Sequence, residues 1–282
     1  MNLSSRTVAN AIAVVVFASI INVVSSSDAT AGDDHFADRV IAYEQGAGGN
    51  PDYANPLTTL GRPERFTGEG LFPSVVSPFS PPFGLDEIVS IGSGGFLTVA
   101  FDTPVVDDPS NPFGIDLIIF ANTAFIDSNY PNGIVGGVFG DDGGTIEVSA
   151  DGNRWFTIAG QPADDLFPTL GFLDAGPYDD TRGVVPSRFT RPVNPSLTLN
   201  DFMGLSHAEV LALYDGSGGG SGVDIGSTGL SEISFVRISH AGDGAIEIDA
   251  FADVLPVPGP AGAAVMLLFM CATRSRRRES GQ

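Results

Sequence analysis

Gly114-Ile115-Asp116-Leu117-Ile118-Ile119-Phe120-Ala121-Asn122 contains the run on which the fold turns. Residues 117–120 are apolar on both faces of an extended chain, so they read as a central strand covered on either side rather than a half-exposed one. Outward from it, residues 37–43, 87–91, 96–101, 145–150, 155–159, 233–239 and 245–254 alternate apolar and polar with period two. Asp151-Gly152, between two of these runs, is a hairpin signal, because both residue types tolerate the positive φ of a tight turn. Strands this short, distant in sequence and rich in glycine and proline at their ends, predict an all-β, two-sheet β-sandwich of the jelly-roll kind.

One short helix is predicted near 206–214. Ser206-His207-Ala208-Glu209 has the capping-box pattern, and Asp215-Gly216 ends the apolar run that follows. Residues 46–85, 125–144 and 161–200 read as long loops, of the size that serves function or wraps a sandwich edge. The run Gly219-Gly220-Ser221-Gly222-Val223-Asp224-Ile225 matches one copy of a calcium-binding glycine repeat. One copy cannot work in that way, since each ion is shared between turns, so a flexible loop is expected there.

The two ends carry addresses rather than core. Arg6, an apolar stretch over 9–24 and the small-x-small triplet Ala29-Thr30-Ala31 read as a signal peptide over 1–31. At the other end Pro256-Val257-Pro258-Gly259-Pro260 leads into an apolar segment, 261–273, which stops at Arg274-Ser275-Arg276-Arg277-Arg278. That segment is shorter than the roughly 20 residues of a stable span, and the arginines would stay on the cytoplasmic side. The arrangement resembles the PEP-CTERM sorting signal of Gram-negative bacteria, with Val257 in place of the usual glutamate. The resemblance implies that residues 256–282 are a sorting signal, carried by Pro256, Pro258, Gly259, Arg276, Arg277 and Arg278. It further implies an exosortase-type sorting enzyme and the inner membrane as transient partners, and delivery to the cell surface or beyond. Residues 32–255, in which no linker is evident, form the remaining domain.

Charge and cysteine usage exclude several classes. The formal net charge is −21 and lysine is absent, so the surface would repel nucleic acid and anionic lipid. The single cysteine, Cys271, lies in the tail, so the domain can form no disulfide within itself. The chain has no Gly-x-Ser-x-Gly elbow, no His-Glu-x-x-His and no phosphate-binding loop. His35, His207 and His240 are isolated at the ends of elements, and no catalytic residue is assigned.

Four stretches taken together, 94–101, 114–122, 147–156 and 246–251, resemble bacterial exported cell-surface proteins with a galactose-binding-like jelly roll. In that group the third strand commonly ends Phe-Glu-Asn; Ala121 stands here in place of the glutamate, so any role of that carboxylate is absent. The group brings no defined activity. In related sugar-binding modules a structural calcium often joins the first and last strands, which makes Glu44, Glu247 and Asp249 candidate ligands. Strict alternation would put Glu247, Asp249 and Asp253 on one face, opposite Ile248, Ala250 and Val254. For sugar stacking Tyr130 and Tyr178 are preferred over the loop phenylalanines, which are expected to pin their loops. Trp155 is expected in the core. The function these features suggest is a non-enzymatic exported surface or matrix protein that binds extracellular polysaccharide or adheres; the alternative is a secreted polysaccharide-acting hydrolase.

Overall fold

The structure, a computed structural model, describes residues 34–256. In chain order the strands are β1 (Arg39–Glu44), β2 (Phe66–Thr67), β3 (Ser74–Val75), β4 (Val89–Gly92), β5 (Phe96–Val106) and β6 (Leu117–Ala121). They continue with β7 (Ala124–Asp127), β8 (Val135–Phe139), β9 (Gly143–Ser149) and β10 (Phe156–Asp164). Two helices follow, α1 (Leu199–Phe202) and α2 (His207–Tyr214), then β11 (Ser221–Val223), β12 (Glu232–Ser239) and β13 (Ala245–Asp253).

The fold is an all-β sandwich. One sheet has the order β1-β5-β12-β9-β10 and the other β11-β6-β13-β4, with β2-β3 and β7-β8 as separate hairpins. Every ladder is antiparallel. Within the two main sheets only β9 and β10 are both neighbours and consecutive in the chain. All other pairings join strands distant in sequence.

Alternation explains the core. Leu97, Val99 and Phe101 of β5, Ile146 and Val148 of β9, and Val236 and Ile238 of β12 point inward from the larger sheet. They meet Val89, Ile91, Leu117, Ile119, Ile246, Ile248 and Phe251 of the smaller one. The run that decides the fold behaves as expected: β6 lies between β11 and β13, and all five of its residues are buried. Leu117 and Ile119 face the inter-sheet core, while Ile118 and Phe120 pack behind the sheet with Phe36, Ile115, Phe189, Ala250, Ala252 and Val254. Phe189 belongs to the long 161–200 segment, which therefore covers the outer face of this sheet. A further apolar layer lies outside the two main sheets, with Phe79, Phe125 of β7, Phe167 and Leu170 around Phe202, Val210 and Tyr214 of the helices.

Arg65 ties these layers together. Its guanidinium lies over the Phe189 ring at 3.9 Å and donates to the Ser187 carbonyl at 3.1 Å, to Ser187 Oγ at 3.0 Å and to the Gly171 carbonyl. Burial pulls its pKa down to about 10, with Arg62 adding in the same direction.

Four sequence expectations are corrected. The hairpin expected at Asp151-Gly152 forms between β9 and β10, but Asp151 keeps a negative φ; only Gly152 has positive φ (73°), and Asp151 Oδ1 accepts the amides of Asn153 and Arg154 at 2.8 and 2.9 Å. The glycine run after α2 is no flexible loop but leads into β11, which pairs with β6. A Cβ at Gly219 would lie 2.2 Å from the Pro168 carbonyl oxygen, and one at Gly220 would lie 2.4 Å from Ile118, which is why two glycines precede this strand. On β13 the register shifts between Ile248 and Ala250, leaving Asp249 as an inserted bulge residue. The bulge reverses the alternation: Ile248 and Phe251 face the inter-sheet core, whereas Ala250 and Val254 face the other side. Finally, Trp155 is only half-buried and lies outside the core.

Among the described residues no helix is long and apolar enough to cross a membrane. The signal-peptide reading and all of the sorting-signal residues except Pro256 lie outside the described residues. Pro256 is exposed at the end of the domain.

Candidate functional site

The two tyrosines singled out from the sequence meet in space. Tyr130 sits in the connection between β7 and β8, and Tyr178 in the long segment after β10. Their rings stand edge to face with centroids 5.0 Å apart at 60°. Tyr130 is 73% exposed, whereas Tyr178 is half-buried against the apolar layer outside the two main sheets.

Asp127, the last residue of β7, organises this pair. Its Oδ1 accepts the amides of Asn129 and Ile134 at 2.9 and 3.0 Å, and its Oδ2 accepts that of Gly133 at 2.9 Å. The Tyr178 hydroxyl donates to the same Oδ2 at 3.2 Å. Partial desolvation pulls the Asp127 carboxyl upward, but these hydrogen bonds outweigh it and hold it below the ordinary aspartate value. Burial first, then the Asp127 charge, push Tyr178 upward, so its hydroxyl remains a donor. The loop is further docked on the helices: the Val135 amide donates to the Leu205 carbonyl at 2.9 Å, and Gly204 donates to Val135 at 2.8 Å. Gly133, at φ 70°, leaves only 3.1 Å between a Cβ and His207 or Pro177. The result is an exposed aromatic ring on a loop braced by a carboxylate whose oxygens are all engaged within the protein.

A second polar and aromatic surface lies on the outer face of the larger sheet. The Arg237 guanidinium stacks 3.9 Å over the Trp155 ring, and its Nε donates to Thr98 Oγ1 at 3.2 Å. Glu147 lies 3.6 Å from the same guanidinium. Next to them a shallow depression of about 430 Å³ is lined by Gly94, Gly95, Phe96, Ser239 and His240. The His240 Nε2 is buried without a hydrogen-bond partner, so it makes no serine–histidine bond through that atom. His207 is likewise buried with an unpartnered Nε2, and burial lowers its pKa. His35 pairs with Asp253 at 3.5 Å.

The structure does not gather the three expected calcium ligands. Glu44 is exposed at the end of β1 in the larger sheet, while Glu247 and Asp249 lie on β13 in the smaller one. Glu247 accepts from Ser90 Oγ at 2.9 Å, and burial raises its pKa. Asp249 is 1% exposed and accepts the Glu64 amide at 3.3 Å; burial, with the Glu64 charge adding to it, holds its carboxyl well above the ordinary value. Among the described residues, the one group of three carboxylates with mutually converging oxygens is Asp107, Asp116 and Asp224. Sequence reasoning proposed none of the three, and set aside the glycine run that contains Asp224. The oxygen-rich run Asp107-Asp108-Pro109-Ser110-Asn111 was the available signal, but its convergence with Asp224 depends on the pairing of β6 with β11. No protein-family model and no curated protein matches the chain.

Proposed function

We propose that this chain is a non-enzymatic exported protein of the cell surface or extracellular matrix, which binds polysaccharide through Tyr130 and Tyr178. The observation that carries the reading is the braced tyrosine pair. An exposed ring of this kind stacks on the apolar face of a pyranose, and the Asp127 carboxylate, filled by its four donors, holds the pair in place. Aromatic rings presented on pinned loops lose little conformational entropy on binding, which favours them as contact surfaces. Delivery to the surface rests on the sequence of the ends, with a sorting tail handed to an exosortase-type enzyme at the inner membrane.

A glycan array probed with wild type and with Tyr130→Ala tests this. Binding to one class of glycan that is lost in the variant is the expected result. Binding that survives in the variant removes the tyrosine pair from the reading. Release of sugar fragments from a polysaccharide by wild type would favour the secreted hydrolase instead.

A further inference from the structure

Three carboxylates from separate segments converge at one end of the smaller sheet. Asp107 follows β5, Asp116 precedes β6 and Asp224 follows β11. Each offers an oxygen such that all lie within 4.8 Å of one another. The pairing of Val223 with Leu117 brings Asp224 beside Asp116. Asp116 is fully buried and is fixed by three donors: Asn111 Nδ2 at 2.9 Å, the Ile225 amide at 3.1 Å and the Asp108 amide at 3.2 Å. Asp107 packs against Gly226, where a Cβ would lie 2.7 Å from its Oδ2.

Asn111 supplies an independent observation. It is 6% exposed, its carboxamide is held against Asp116, and its Oδ1 is buried without any hydrogen-bond partner. A buried amide oxygen left unpartnered costs about 1–3 kcal/mol, and buried polar groups of native proteins are almost always satisfied. Carboxylates this close repel one another at neutral pH. A cation among the carboxylates relieves the repulsion, and the Asn111 carboxamide, held against Asp116, has an oxygen left to complete its shell.

We propose that Asp107, Asp116 and Asp224, together with the Asn111 amide oxygen, form a binding site for a hard divalent cation of the calcium class. The donor set is all oxygen, which excludes the softer metals held by thiolate and imidazole. The three carboxylate oxygens lie within 4.8 Å of one another, close enough to share one ion. Calcium accepts six to eight ligands in irregular geometry, with water completing the shell, whereas magnesium demands a tighter octahedron. The ion would clamp the ends of β5, β6 and β11 in a domain that has no disulfide.

Calorimetric titration of the purified, chelator-treated protein with calcium is the test. One saturable site is expected, with a melting temperature that rises with the logarithm of free calcium. Asp224→Asn removes an exposed ligand charge and should weaken calcium affinity by about tenfold or more, without lowering the melting temperature in chelator. Glu247→Gln, in the other acidic region, should leave the affinity unchanged. Identical melting curves in chelator and in millimolar calcium, with no heat of binding, would overturn the proposal. So would calcium affinity preserved in Asp224→Asn, or magnesium bound more tightly than calcium.

Discussion

The Tyr178 hydroxyl donates to Asp127 Oδ2, the same oxygen that receives the Gly133 amide, and so fastens one ring of the tyrosine pair to the loop that carries the other. Removing that hydroxyl in Tyr178→Phe should cost about 0.5–1.5 kcal/mol of stability, the usual net worth of one hydrogen bond. Tyr130→Ala, by contrast, truncates an exposed ring and should change stability by no more than about 0.5 kcal/mol. Denaturant unfolding of the two variants distinguishes them, and equal losses would mean that Tyr130 is a packing residue.

Glu64 sets a pH dependence. Burial, with Glu87, Asp86 and Glu69 adding to it, raises its pKa from 4.5 to about 7. A carboxyl with a raised folded value binds its proton more tightly when folded, so its contribution favours folding at low pH. That contribution is lost as pH rises from 4.5 to about 7. Asp249, whose value is also raised, acts in the same direction. Glu64→Gln should therefore flatten the fall in melting temperature across this window, and Asp249→Asn should raise it at neutral pH while still accepting the Glu64 amide. A wild-type and Glu64→Gln pair with parallel melting temperatures against pH would contradict this account.

Arg65→Lys should be more disruptive than the preserved charge suggests. An ammonium cannot reproduce the fork that spans Gly171 and Ser187, nor the flat stack on Phe189. A loss of roughly 1.5–3 kcal/mol is expected. Because the lost contacts hold the 161–200 segment onto the sheet, limited proteolysis should cut that segment first.

If residues 256–282 are a sorting signal, as proposed, they should be separable from the fold. A chain from Gly32 to Leu255 is expected to be soluble and β-rich by circular dichroism, since every strand named above lies within it. Replacing Arg276, Arg277 and Arg278 with neutral residues should change retention or processing in the cell and leave folding intact. Unchanged localisation and mature mass in that triple variant would remove the sorting reading.

Local chemistry was written plainly in this sequence. The doubly apolar run of β6 announced a strand covered on both faces. The Ser206–Glu209 capping box forms as read, with Glu209 Oε2 accepting from the Ser206 amide at 2.8 Å. Period two gave the inward residues of β5, β9 and β12, because side-chain direction along a regular strand depends on nothing beyond the strand itself. The choice of Tyr130 and Tyr178 rested on the expectation that loop phenylalanines pin their loops; Phe79, Phe125 and Phe167 are buried, whereas Phe139 is 71% exposed, as open as Tyr130.

What the sequence could not carry was partnership. Nearly every ladder in the two sheets joins distant segments, so the bulge at Asp249 arises from the register of β13 against β6 and β4, which no local pattern encodes. That shift buries Asp249, which alternation had placed on one face with Glu247 and Asp253. The same long-range pairing separated Glu44 from Glu247, moved Trp155 out to a stack with Arg237, and drew Asp107, Asp116 and Asp224 together. Alternation and capping are properties of a few consecutive residues, and sequence alone determined them; convergence of charges is a property of which strands pair, and only the tertiary structure decided it.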